Sequence, residues 1–112
     1  MKITLSEDRT VKWPVKVNVP QDGGTVRVQT FTGHFRLARA DAVKQALNDR
    51  ADDFDQMIVE RLIGWEGDLR DETDAPIPFS DDARDALCGI PYVRPAVIKA
   101  YFEAANGGRA KN

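Results

Sequence analysis

The sequence predicts an α+β fold: a small N-terminal antiparallel β-sheet, built as a hairpin, followed by three to four α-helices packed on it. Three observations predict it. Apolar and polar residues alternate with a period of two through the first third of the chain, as in a half-buried strand. An Asp-Gly-Gly turn interrupts that alternation at residues 22–24. From about residue 38 onward, apolar residues recur at the three- and four-residue spacing of a helix that buries one face.

A chain of 112 residues can close one modest core but not two. Residues 1–112 are therefore read as a single domain, β-rich over 1–37 and helical over 38–106, with a flexible tail at 107–112. Apolar residues make up 42% and charged residues 30%, the balance of a chain that folds.

Val15, Val17 and Val19 alternate with Lys16 and Asn18 to give the first strand, bounded by Pro14 and Pro20. Gln21-Asp22-Gly23-Gly24 supplies the positive-φ residues of a tight hairpin turn. The return strand starts with Val26 and Val28 on one parity and continues with Phe31, Phe35 and Leu37 on the other. That change predicts a bulge or bend between Gln29 and Phe31, helped by Gly33, because a one-residue slip sends every following side chain to the opposite face. Ile3 and Leu5 predict a further short edge strand, with Thr10, Val11 and Trp13 nearby and a turn at Glu7-Asp8-Arg9 between.

Val43, Ala46 and Leu47 mark the first helix, with Asp41 near its positive end. Asp53-x-x-Gln56 reads as a capping box opening a second helix, whose apolar face is Phe54, Ile58, Leu62 and Trp65 with Met57 beside it. Gly64 and Gly67 mark where that helix dissolves, and Asp68 to Phe79 reads as an acidic, proline-containing loop. Ser80 caps a short helix carrying Asp81, Asp82, Ala83, Ala86 and Leu87, and Gly89 stops it. Pro91 and Pro95 suit the opening of a last helix, striped by Ile98, Tyr101, Phe102 and Ala105 and closed by Asn106-Gly107-Gly108.

Charge and motif inventory then narrow the function. A net charge of -2 and a pI near 5.3 leave no cationic surplus for a phosphate backbone or anionic headgroups, so neither nucleic acid nor membrane is an expected partner. No apolar stretch approaches the roughly 20 residues of a membrane span, and Met1 to Leu5 is not followed by the apolar run of a signal peptide, so the cytoplasm is the expected location. Cys88 is the single cysteine, which excludes an intrachain disulfide and a Cys-based zinc site. His34 is the single histidine and lacks the partners of a triad. The acidic run Asp68, Asp71, Glu72, Asp74 lacks the glycine and terminal glutamate of an EF-hand loop, and neither Gly-Gly pair has the flanking residues of a phosphate cradle. The expectation is a protein that is not an enzyme, with no catalytic, cofactor-binding or metal-binding set. What remains is an aromatic group, Trp13, Trp65, Tyr92, Tyr101 and Phe102, of which most build a core and a fraction face a partner.

Three stretches carry a family resemblance. The first is Trp13-Pro14-Val15-Lys16-Val17-x-Val19-Pro20-x-Asp22-Gly23-Gly24, with Phe31-Thr32 and Phe35-Arg36 after it. The second is Gly64-Trp65-Glu66-Gly67, leading through the acidic loop to Pro76-x-Pro78-Phe79-Ser80, and the third is Ile90-Pro91-Tyr92-Val93-Arg94 with Ala100-Tyr101-Phe102-Glu103-Ala104. Together they resemble the tail assembly chaperones of long-tailed bacteriophages and prophages. The resemblance spans most of the chain and leaves residues 38–53 as its least distinctive part. It implies a protein of the host bacterial cytoplasm that binds the tape-measure protein and keeps it soluble while the tail tube assembles. Such a protein is displaced by tail-tube protein, is absent from the mature virion, and self-associates into a homo-oligomer. Many members of the family are largely helical, whereas this chain opens with strands, so the resemblance implies a role and not a fold. It also implies a programmed frameshift near the end of the reading frame: Ala110-Lys111-Asn112 can be encoded with a slippery A AAA AAC run, which the gene sequence will show or refute.

The expected partner-binding residues are Trp65, Tyr92, Arg94, Lys99, Tyr101 and Phe102, on the second and last helices. The rival reading is a structural virion protein, a head-tail joining or tail-tube component, which would also be small, acidic and without catalytic residues.

Overall fold

Odd-numbered apolar residues run through both arms of the hairpin and define its buried face. In the computed structural model, which describes residues 1–3, 5, 9–67 and 69–108, β1 (Arg9–Pro20) pairs antiparallel with β2 (Val26–Leu37) in unbroken register, from Arg9 opposite Leu37 to Pro20 opposite Val26. The Gln21 amide donates to the Thr25 carbonyl at 2.8 Å to close the turn, and Gly23 and Gly24 take φ of 89° and 88°, a conformation open to glycine at little cost. Val15, Val17, Phe31 and Phe35 are buried on the inner face. Val26 and Val28 lie on the outer face, 59% and 58% exposed. The bulge expected between Gln29 and Phe31 is therefore absent, because the parity change in the sequence marks a change in which face carries apolar residues and not a slip.

The larger correction concerns the segment read as one helix from Phe54 to Trp65. Helix α2 (the second of four) spans only Phe54–Val59, and Leu62–Glu66 is a strand, β3, on the far side of β2, giving the sheet order β1-β2-β3. Gly64 and Gly67 make a helical continuation poor, at about 1 kcal/mol per glycine. The free edge of β2 offers backbone groups that a strand satisfies: the Arg36 amide donates to the Arg61 carbonyl at 2.9 Å, and Thr32, Gly33 and His34 pair with Glu66, Trp65 and Gly64. The one register irregularity falls here, between His34 and Phe35. A Cβ on Gly64 would stand 3.0 Å from His34 Nδ1, a tight contact that the His34 ring would have to yield to.

The remaining helices are α1 (Ala40–Asp49), α3 (Asp81–Leu87) and α4 (Arg94–Ala105), with a single 3₁₀ turn at Ala51–Asp53 ahead of α2. Helix α4 packs on β1, β2 and α2, burying Val97, Ala100, Tyr101 and Ala104. The buried stripe thus includes Tyr101 but otherwise runs one residue N-terminal to the expected one, and Ile98 and Phe102 flank it. Val15, Phe35, Ile58, Val59, Leu62 and Val97 are fully enclosed, each contributing roughly 1.5–3 kcal/mol of burial. By contrast α1 buries no residue completely and leaves Leu47 exposed.

Ser80 Oγ accepts the Ala83 amide at 3.0 Å and caps α3, Pro95 sits in the first turn of α4, and the Gly107 and Gly108 amides close its end on the Ala104 and Glu103 carbonyls. The capping box at α2 does not form: the Asp53 carboxylate pairs with Arg50 at 2.7 Å, and Gln56 reaches Glu60, Asp85 and Arg94. The acidic loop is ordered by its own acid. Asp71 accepts from Thr73 Oγ1 at 2.6 Å and from the Thr73 and Ala75 amides, inside a miniature antiparallel bridge between Arg70 and Pro76. Ile3 and Leu5 are exposed and in no strand, Thr10, Val11 and Trp13 belong to β1 itself, and Glu7, Asp8 and residues 109–112 lie outside the described residues. The result, among the described residues, is an α+β fold with three antiparallel strands and four helices, one strand being interposed among the helices. No helix among the described residues is long and apolar enough to cross a membrane.

Candidate interaction surface

Helix α4 carries the surface because its buried stripe is narrow. With Val97, Ala100, Tyr101 and Ala104 turned into the core, Ile98 and Phe102 are left half-buried on its flank. Phe102 forms a ridge between two open clefts. One, of about 610 Å³, has Pro91, Pro95, Ile98 and Phe102 on its walls and the charged groups of Asp55, Arg94 and Lys99 around it. The other, of about 700 Å³, is lined on the opposite side of Phe102 by Val43, Leu47, Phe54 and Ala105.

A polar lattice fixes the first cleft. Arg94 donates to Gln56 Oε1 at 3.3 Å and to the Cys88 carbonyl at 3.5 Å, joining the start of α4 to α2 and to the end of α3. Gln56 Nε2 donates in turn to Asp85 at 3.2 Å, and Asp85 accepts from the buried Arg84 at 3.1 Å. The Arg84 hydrogen bond holds the Asp85 carboxyl below its ordinary value. Burial pushes the Cys88 thiol up to about 11, and the opposing pull of Arg94 and Arg84 is too weak to reverse it. At neutral pH that side chain is a neutral thiol at the cleft's base, without the thiolate character a nucleophile needs.

The predicted residues divide between this surface and the core. Arg94, Lys99 and Phe102 meet at the first cleft. Tyr92, 38% exposed, lies on a separate groove of about 210 Å³ with Val17, Val19 and Ile90. Trp65 and Tyr101 point inward, contrary to the partner-facing role expected of them. Trp65 Nε1 donates to the Ile77 carbonyl at 2.8 Å, and its ring meets Phe79 and Phe31 edge-on at 4.8 and 6.3 Å, so it pins the acidic loop to the sheet. Tyr101 is 1% exposed, and its hydroxyl accepts the Ala38 amide at 3.1 Å. Pro91, Pro95 and Asp55 also line the first cleft and were not among the expected residues. Ile98 and Phe102, an i, i+4 pair in the predicted stripe, were the legible signal.

The outer face of the sheet holds a different arrangement. His34 Nε2 lies 2.9 Å from Glu66 Oε2, and Lys12 Nζ lies 3.2 Å from the same oxygen, a row of three side chains across all three strands. His34 first and then Lys12 keep the Glu66 carboxyl below its ordinary value. Among the described residues, no three of His, Cys, Asp and Glu gather as a metal site. No family model matches the chain, and no curated protein or solved structure matches it.

Proposed function

We propose that this protein is a tail assembly chaperone of a long-tailed bacteriophage or prophage. In this reading it binds the tape-measure protein in the host bacterial cytoplasm, keeps it soluble, and is displaced as tail-tube protein polymerises, so that it is absent from the mature virion. The three motif stretches quoted above point to the family. The structural observation that supports the reading is the pair of apolar-walled clefts on either side of Phe102. A long amphipathic helix presents apolar side chains every three or four residues, and a ridge between two recesses takes such a stripe by helix-in-groove docking. Arg94 and Lys99 at the rim favour helices with acids beside the apolar stripe. Each contact is small, so many copies along one tape measure hold it by avidity while each copy remains displaceable.

Co-expression with the tape-measure protein of the same phage tests this. The expected result is a soluble tape measure that co-purifies with many copies of this chain, and a loss of at least tenfold in recovered complex for Phe102→Ala with Lys99→Glu. An insoluble tape measure, with the longer frameshift product also supplied, together with this chain in purified particles, would replace the reading with that of a structural tail component.

A further inference from the structure

The four helices are held unequally. Helices α2, α3 and α4 each bury at least one residue, whereas α1 buries none. At ten residues α1 is shorter than the roughly 12–15 that make a helix stable by itself in water, so it depends on burying its apolar stripe. That stripe, Val43, Ala46 and Leu47, is incompletely covered: Val43 and Ala46 are half-buried and Leu47 is 49% exposed. Helix α1 packs on α2 and on the 3₁₀ turn beside it in the chain, with no comparable contact to α4 or to the sheet. Among the described residues its side-chain hydrogen bonds are local as well, Asp41 accepting the Ala42 amide at 2.9 Å and Gln45 donating to Asp49 at 2.8 Å.

The space beside this stripe is the cleft of about 700 Å³, to which α1 contributes Val43 and Leu47, α2 Phe54, and α4 Phe102 and Ala105. Apolar groups on separate elements with open space between them leave apolar area in water on both sides. The chain is fastened outside α1 and not along it. Ahead of the helix the Ala38 amide donates to the Tyr101 hydroxyl at 3.1 Å, and past it Arg50 pairs with Asp53 at 2.7 Å. The helix itself is bounded by two non-helical residues, Arg39 at φ -63°, ψ 149° and Arg50 at φ -127°, ψ 41°, where a change in backbone angle turns α1 as a unit.

We propose that α1 is a clasp for a helix docked at the Phe102 ridge: it turns on Arg39 and Arg50 and closes Val43 and Leu47 onto the apolar stripe lodged between α1 and α4. The occupant is an amphipathic helix, because side chains three or four residues apart fill a space whose apolar walls come from separate helices. Lys44 at this cleft suits an acid beside that stripe, as Arg94 and Lys99 do across the ridge. Closure completes the burial of the α1 stripe, so the order of α1 and the occupancy of the cleft rise together. The clasp rests on the helix-docking reading of this surface and not on which protein supplies the helix.

The probe is a fluorescein-labelled synthetic amphipathic helix with leucines at three- and four-residue spacing and glutamates beside them. It is titrated onto the full chain by fluorescence anisotropy, and the free and bound chains are compared by amide hydrogen exchange. In the free chain the amides of Lys44 to Asp49 should exchange at least about 100-fold faster than those in the core of α4, because α1 opens without global unfolding. Bound peptide should slow the α1 amides by about tenfold or more, as the occupant selects the closed form. Val43→Ala with Leu47→Ala should weaken peptide binding about tenfold through lost apolar burial. Alanine favours the helix, so that loss is not a failure of α1 to form. Gln45→Ala, on the exposed side of α1, should bind as wild type does. Peptide that binds while α1 exchanges as in the free chain, or that binds the double variant as tightly as wild type, overturns the clasp and leaves the docking reading standing. Amides of α1 as protected as those of α4 in the free chain overturn it too. Peptide that does not bind the wild-type chain overturns both the clasp and the docking it rests on.

Discussion

The two halves of the hairpin share strands, register and alternation, yet differ in what lies against them. Near the open end, Val15, Phe31 and Phe35 are shut beneath α4 while β3 covers the flank of β2 at Thr32–Phe35. Toward the turn, residues 21–30 are all exposed, and only Val17 is buried. Strand pairing alone does not separate the two halves. The difference is the third layer, and it teaches that stability here resides where sheet and helix both close on the same side chains.

Truncation sharpens the contrast most. Phe35→Ala empties a fully enclosed site that also stacks edge-on with Tyr101 at 6.2 Å, and should cost about 3–5 kcal/mol in urea denaturation. Val26→Thr at the far end should stay within about 0.5 kcal/mol. Equal losses at the two sites would break the comparison. Gly33→Ala comes next: its Cβ would stand 2.9 Å from both Leu62 Cδ1 and Phe35 Cε2, buried atoms with little room to retreat, for about 1–3 kcal/mol. Tyr101→Phe leaves the Ala38 amide without its acceptor where β2 runs out into the helical half, and should cost about 1 kcal/mol with the fold intact.

The smallest effect is a pH dependence on the sheet's outer face. Glu66 has a depressed folded pKa, so its contribution is present above the ordinary glutamate range and is lost as pH falls through the lowered folded value. Glu66→Gln should therefore be less stable than wild type near neutrality, with the gap closing on acidification. A gap that persists unchanged in acid would show that His34 and Lys12 contribute nothing through this carboxylate.

The hairpin was legible because a period of two and a Gly-Gly turn both speak locally, whereas Pro14, expected to bound the first strand, lies inside β1, which tolerates it as the edge strand of the sheet. The misread feature beside it, Val26 and Val28, looked like a slip because alternation reports a change of apolar face without saying which face the helices cover. The segment from Phe54 to Trp65 failed for another reason. Phe54, Ile58, Leu62 and Trp65 keep helical spacing, but a short apolar run such as Leu62-Ile63-Gly64-Trp65 fits a buried strand equally well, and the vacant flank of β2 decided it. Gly64 and Gly67 were the available warning. At the candidate surface, Arg94, Lys99 and Phe102 could be found from the last helix alone. Tyr101 could not be told from Phe102, because the two are sequence neighbours in one stripe and only the packing of α4 buries the first and leaves the second half-buried.

Cys88 gives the molecule a clock of its own. It is the only thiol, sealed 1% exposed at the corner where α3 meets α4, and its proton is held until about pH 11. A thiol reagent can react only when that corner opens, so the labelling rate of the native protein counts openings of the floor beneath Arg94 and Phe102. Ligand seated in the cleft above it would slow the count.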